Sequence, residues 1–338
     1  MTEGPGGDVD AVLVVSFGGP EAPGDVIPFL QNVTRGRRVP AQRLQAVAAR
    51  YRDLGGKSPL NDQCRELIAA LRIELSAHGI ELPIYWGNRN WHPLLPDTLA
   101  TMRRDGVQRA LAYVTSAFGS YSGCRQYREN LAAAGAPLGA SAPRVDVLRR
   151  PYNHPDFIDT WVEAVRAALA QVPPPGRAHA RVVFTAHSIP CSMAATSPYE
   201  AELRAACAWI MEQVDARGYD LVYQSRSGPA AVPWLEPDVL EHLDRLASGG
   251  CRDVVLCPLG FLSDHVEVVW DLDREARNLA EGRGVRLVRA ATPGAHPRYV
   301  SMVRELIQER LDPSRPRRTV GGTEPAPDVC PSDCCVAQ

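Results

Sequence analysis

Residues 253–275, DVVLCPLGFLSDHVEVVWDLDRE, pass within one short stretch from an apolar, β-branched run to a segment patterned as a helix. Val254, Val255, Leu256 and Cys257 show no polar alternation, the pattern of a strand buried on both faces of a parallel sheet. Gly260 breaks the run, Ser263 or Asp264 can cap a new helix, and Val266, Val269 and Trp270 give that helix an apolar face. On such a helix Asp264, Glu267, Asp271 and Glu275, at steps of three, four and four, stack in one stripe of carboxylates. A stripe of this kind is commonly a solvated amphipathic face. This one begins where a parallel strand ends, the place where open α/β sheets bind ligands, and the same turn carries His265. Its position suits the passage of protons or the holding of a hard or borderline cation.

Strand-like runs lie at 11–16, 83–88, 109–115 and 144–149, and a second set at 181–186, 220–225, 253–258 and 285–289. Helical patterns, such as 237–247 and a last one at 296–311, separate them. The alternation predicts right-handed βαβ crossovers and parallel sheets, so the class is α/β with two four-stranded halves. The halves also align as a repeat, with Tyr85 opposite Tyr223, Pro96 opposite Pro237, Gly106 opposite Gly250, Phe118 opposite Phe261 and Tyr121 opposite Asp264. Different chemistry at equivalent strand ends, facing one cleft, is the expectation.

The 338 residues suffice for two ordinary cores, and 45% hydrophobic with 22% charged residues is the composition of a globular protein. A net charge of -2 gives no electrostatic case for nucleic acid. No run approaches transmembrane length, and MTEGPGGDVD lacks the apolar core of a signal peptide, so a cytoplasmic location is expected. Nine cysteines in such a chain do not read as a disulfide framework. Phosphate-loop readings fail: Gly18-Gly19-Pro20 does not make GxGxxG, and Gly56-Lys57-Ser58 lacks the leading glycine and runs into Pro59.

In RVVFTAHSIP, residues 181–190, His187 stands at the end of a buried strand. A lone histidine is often a hydrogen-bonding filler, but this one and the acidic row both sit at carboxyl ends of strands in one half and can face each other. A neutral imidazole opposite carboxylates suits metal handling or proton abstraction from an N–H acid.

AHSIP with SDHVEVVWDLD, together with VVSFGGP, GGKSPL, GNRN and QSRSGPAAVPWLEP, resembles ferrochelatase, in the same order over residues 10–310. The resemblance implies the chelatase fold, two pseudo-duplicated Rossmann-like domains around a porphyrin cleft. The expected divisions are a flexible N-terminus at 1–9, an N-terminal domain with a porphyrin-binding lip at 10–150, a C-terminal domain with the catalytic histidine and acidic helix at 151–311, and a linker with a cysteine-rich tail at 312–338. The implied activity is insertion of ferrous iron, a substrate, into a porphyrin in haem biosynthesis. His187 matches the active-site histidine and Glu267 the carboxylate facing it, both handling metal and pyrrole protons, with Asp264, His265 and Asp271 as an acidic path. Thr34-Arg35-Gly36-Arg37-Arg38 offers cations for propionates, and the resemblance favours Arg35, Arg50, Ser58 and Tyr127 as substrate contacts. NVTRGRRVP and QSRSGPAAVPWLEPD resemble the actinobacterial branch, which implies coproporphyrin III rather than protoporphyrin IX. Where several such enzymes carry a tyrosine able to ligate iron, this chain has Phe17, which leaves His187 as the axial ligand.

Residues 312–327, rich in proline, glycine and arginine, read as an extended linker to Cys330, Cys334 and Cys335. Three thiols in so short a segment can bind metal or belong to a disordered end. A structural zinc or a 2Fe-2S cluster needs a fourth thiol from the body. The resemblance favours a 2Fe-2S cofactor, and Cys191, in the loop after His187, is the preferred fourth ligand over Cys124 and Cys207. Two other functions stay open: the same chemistry on protoporphyrin IX, and a porphyrin- or iron-binding carrier or redox sensor without turnover. A lip around 27–30 offers transient contact with neighbouring haem-pathway enzymes.

Overall fold

The computed structural model describes residues 8–36, 39–228, 231–331 and 333–336. Residues 1–7 of the expected flexible segment, and Arg37 and Arg38 of the basic loop, lie outside them. β1 (Ala11–Ser16), β2 (Ile84–Asn88), β3 (Arg109–Val114) and β4 (Arg144–Val147) form one parallel sheet in the order β2-β1-β3-β4. β5 (Arg181–His187), β6 (Tyr219–Gln224), β7 (Asp253–Cys257) and β8 (Arg286–Arg289) form a second in the order β6-β5-β7-β8. Helices flank both, so the α/β duplication read from the sequence is the architecture. β1 and β7 are buried at every position, which is why their sequences lack alternation.

The register corrects the residue pairing of the repeat. The bridges Asn88↔Leu94 and Tyr223↔Asp238 make Asn88, not Tyr85, the counterpart of Tyr223, and Pro93, not Pro96, the counterpart of Pro237. Hydrogen bonds from Asn88 N to Pro93 O (2.7 Å) and from Tyr223 N to Pro237 O (2.9 Å) repeat the same turn. Side-chain likeness is a poor guide here, because the two turns are matched by backbone geometry.

In both sheets the chain steps to one side of the central strand and then to the other, which puts topological switch points between β1 and β3 and between β5 and β7. The halves share one apolar core: Val12, Val14 and Tyr113 of the first lie in the same buried cluster as Phe157, Trp161 and Phe184 of the second. The last helix, Pro297–Leu311, packs on Leu60–Ala77 of the first half as well as on Pro155–Ala170. Its Glu309 accepts two hydrogen bonds from Arg149, at 2.7 and 2.8 Å, with both side chains buried.

Residues 312–331 and 333–336 contain neither helix nor strand, yet they are no free linker. Val320 N donates to Asn153 O at 2.9 Å, Asn153 Nδ2 to Glu324 O at 2.9 Å, and Arg128 Nη2 to Asp328 O at 2.8 Å. Side chains of the body satisfy the strap's carbonyls, which is how irregular backbone stays ordered against a protein surface. Among the described residues no helix is long and apolar enough to cross a membrane.

Candidate functional site

His187 is the last residue of β5, at the switch point of the second sheet. Its Nδ1 lies 2.5 Å from Ser188 O. A carbonyl can only accept, so Nδ1 carries a proton and Nε2 is the nitrogen left facing outward. Tyr199 Oη donates to His187 O at 2.9 Å and fixes the strand end. Nε2 stands 3.7 Å from Glu267 Oε2. That is too long for a hydrogen bond, but two ligands each about 2.1 Å from one cation stand about 3.0–3.6 Å apart at ordinary angles, so little movement closes them on a metal.

Glu267 reaches this place because the loop after β7 is pressed against the end of β5. Gly260 N donates to Thr185 O at 2.9 Å, and a Cβ at Gly260 would come within 2.7 Å of Ala186 Cα, so only glycine admits the approach. The helix that follows opens at Val266–Val268 and widens into a π-helix over Val269–Ala276, a form that recurs at functional sites. Its N-cap residue is His265, whose side chain makes no capping bond; neither Ser263 nor Asp264 caps it.

The expected row of acids is therefore shorter by one. Asp264 precedes the helix and turns away, paired with both Arg289 Nη atoms at 3.0 Å, while its N–H donates to Gln63 Oε1 at 2.8 Å. Asp271 lies behind Glu267, buried, and receives the Ser225 hydroxyl hydrogen bond. Burial lifts its pKa to about 6; Glu267 and Glu275 push the same way, while the Ser225 bond and Arg50 act against them. Ser225 holds this position in the left-handed region, φ 62°, a strained conformation for a side-chain-bearing residue. Burial holds His265 below its ordinary range. Arg50 closes the far end of the row, 3.6 Å from Asp271 and 3.8 Å from Glu275, over the Trp270 ring. Its charge is paired with these acids while its side chain stays partly exposed.

The lip is an aromatic wall. Phe29 meets Phe17, Tyr51 and Trp91 with ring centroids 5.9–6.3 Å apart, and Val266 of the acidic segment packs in the same cluster. Burial, helped by Glu267, pushes the Tyr51 hydroxyl far up, so it stays a neutral donor near that carboxylate. Of the other substrate candidates, Arg35 is exposed and donates to Asn32 Oδ1 at 2.6 Å. Ser58 is buried, its N–H given to Pro20 O at 2.8 Å. Tyr127 is buried beneath Arg89, whose guanidinium lies 4.5 Å from its ring centroid and also covers Phe17. Tyr51, Ser225 and Arg89 are not singled out by the sequence, because each gains its partners only through folding.

The tail thiols gather. Cys334 and Cys335 Sγ lie 3.5 Å apart, with Cys330 near Cys334 and Cys124 near Cys335. The body thiol brought to them is Cys124, inside the π-helical turn Tyr121–Arg125, whose Arg125 donates to Cys334 O at 3.0 Å. Cys191, the expected fourth ligand, is exposed at the start of the helix Cys191–Ala195, with its N–H on Pro233 O at 3.0 Å. Burial pushes the Cys335 thiol up, and the neighbouring sulfurs add to this. Thiolate sulfurs are the donors that soft-metal centres take.

Residues 9–311 match the ferrochelatase family. The chain is 48% identical to the coproporphyrin III ferrochelatase of Nocardia farcinica, across 98% of this chain and 97% of that protein. It is 51% identical to the coproporphyrin III ferrochelatase of Frankia alni, across 98% and 88%, and 49% identical to a ferrochelatase of Rhodopirellula baltica, across 97% and 93%. In fold it resembles SirB from Bacillus subtilis with Fe3+, at a TM-score of 0.56 and 14% identity over 91% of this chain and 97% of that one. CbiX, described as the terminal enzyme for siroheme biosynthesis in denitrifying bacteria, gives 0.53 and 15% over 89% and 100%.

Proposed function

The chain belongs to the ferrochelatase family, and from that premise we propose that it inserts ferrous iron into coproporphyrin III to give coprohaem. The observation that carries the reading is His187 Nε2 facing Glu267 across 3.7 Å at a switch point, with Asp271 buried behind. Insertion exchanges one Fe2+ for two pyrrole protons. His187 accepts a proton at Nε2, its Nδ1 bond holding the ring in the required tautomer. Glu267 passes protons to Asp271, whose pKa of about 6 lets it take and release them near neutrality, and Glu275 continues the row toward solvent. Phe17, Phe29 and Trp91 wall the ring's place and keep water out.

Identity near 50% to relatives named for coproporphyrin III supports that substrate over protoporphyrin IX. Arg35 and Arg50 are the cations offered to propionates, Arg50 by leaving Asp271. The four thiols Cys124, Cys330, Cys334 and Cys335 would hold a 2Fe-2S cluster, supplying a one-electron redox centre and a tie between tail and body. Action in the cytoplasm, and a passing contact of the half-exposed Phe17 and Ile27 with haem-pathway enzymes, complete the reading.

The test is anaerobic ferrous iron insertion, followed by porphyrin absorbance, with coproporphyrin III and protoporphyrin IX side by side. Coproporphyrin is expected to turn over faster, and His187→Ala to lose at least about 100-fold of that rate while still binding porphyrin. Wild-type turnover by the variant would remove His187 from the chemistry. Binding without turnover by the wild type would make the protein a carrier or sensor.

A further inference from the structure

The gathered thiols sit among arginines. Arg125 and Arg128 donate to backbone carbonyls of the tail, Cys334 O and Asp328 O. Arg150 instead addresses a sulfur, with Nη1 4.0 Å from Cys330 Sγ. This guanidinium cannot swing away. Its Nη2 donates to Glu202 Oε1 at 2.6 Å, and the other Glu202 oxygen accepts the Gly119 N–H at 2.6 Å. Both side chains are largely buried, 12% and 6% exposed. Gly119 is packed so closely that a Cβ there would meet Arg150 Cζ at 3.0 Å and Pro198 Cγ at 2.7 Å. Three separate parts of the chain thus join in a buried ion pair that aims one cation at one tail cysteine: the segment after β4, the helix Tyr199–Met211, and the turn before Cys124.

A 2Fe-2S cluster held by four thiolates has two ferric ions, two sulfides and four thiolates, a net charge of -2 that one-electron reduction makes -3. A fixed guanidinium beside a ligand sulfur, where water is scarce, favours the more negative form. We propose that Arg150, fixed by Glu202, is the positioning residue that donates to Cys330 Sγ and raises the reduction potential of the cluster held by Cys124, Cys330, Cys334 and Cys335. The proposal rests on the cluster reading above. An ion pair that served only to join tail and body would leave the potential indifferent to the charge at position 150.

The experiment uses the full chain, purified anaerobically, with iron and acid-labile sulfide counted and the potential read by a mediated titration of the visible spectrum. Arg150→Gln is expected to retain the cluster and shift its reduction at least tenfold toward the oxidised form, about 59 mV lower for one electron. Arg150→Lys, which keeps the charge, should recover most of that shift. Glu202→Gln, which leaves the arginine uncompensated, should move the potential upward. A fully loaded Arg150→Gln protein with the wild-type potential overturns the proposal. If that variant does not fold, Glu202→Gln decides, and an unchanged or lowered potential there overturns it equally. Wild-type protein without sulfide or visible absorption overturns the cluster reading and this proposal with it, a failure seen in wild-type stoichiometry rather than in the potentials of loaded variants.

Discussion

Asp271 is held where its charge is unwelcome, and the cost is measurable. Its pKa rises from 3.8 to about 6, and each unit is about 1.36 kcal/mol, so ionised Asp271 opposes folding by about 3 kcal/mol at pH 7. Because the folded pKa lies above the unfolded one, the native state binds the extra proton between pH 3.8 and about 6. Stability therefore falls as pH rises through that window and is level above it. Asp271→Asn is expected to gain up to about 3 kcal/mol at pH 7 in urea unfolding, a gain that vanishes below about pH 4, while iron insertion slows. Equal stability of the two proteins at pH 7 would show that Asp271 ionises freely and would remove it from the proton path. His187 was legible as a strand-end histidine, and Glu267 and Asp271 as part of a stripe. Asp264 was not separable from them, because its partner Arg289 lies on β8, far along the chain.

The elements that carry this chemistry are irregular ones. The expected helix over the acidic row begins later and widens into a π-helix, so Asp264 is lost from the row while Glu267 and Asp271 keep their neighbourhood. A second π-helical turn, Tyr121–Arg125, presents Cys124 to the tail. Sequence spacing announces three tail thiols and the need for a fourth, for which Cys191 is the expectation; the path of the strap lays Cys335 near Cys124 instead. Cys124→Ser is expected to abolish iron and acid-labile sulfide in the purified protein, and Cys191→Ser to leave both at wild-type level. The reverse result would return the fourth ligand to Cys191.

The two halves are joined by a shared core, by the last helix, and by the buried Arg149–Glu309 pair. Removing one partner of such a pair leaves an uncompensated buried charge, typically at about 3–5 kcal/mol. Arg149→Met should lose that much in denaturant unfolding, and Arg149→Met with Glu309→Met should recover most of it. A cost below about 1 kcal/mol for the single change would mean that water reaches the pair. Local chemistry was enough to read the eight strands, the parallel α/β duplication and the family likeness, because burial on both faces and strand-to-helix alternation are written in adjacent residues. The docking of the strap, the approach of Cys124 to Cys335, the contact of Arg150 with Cys330 and the pairing of Asp264 with Arg289 join residues distant in the chain. Folding sets those distances, and no local pattern encodes them.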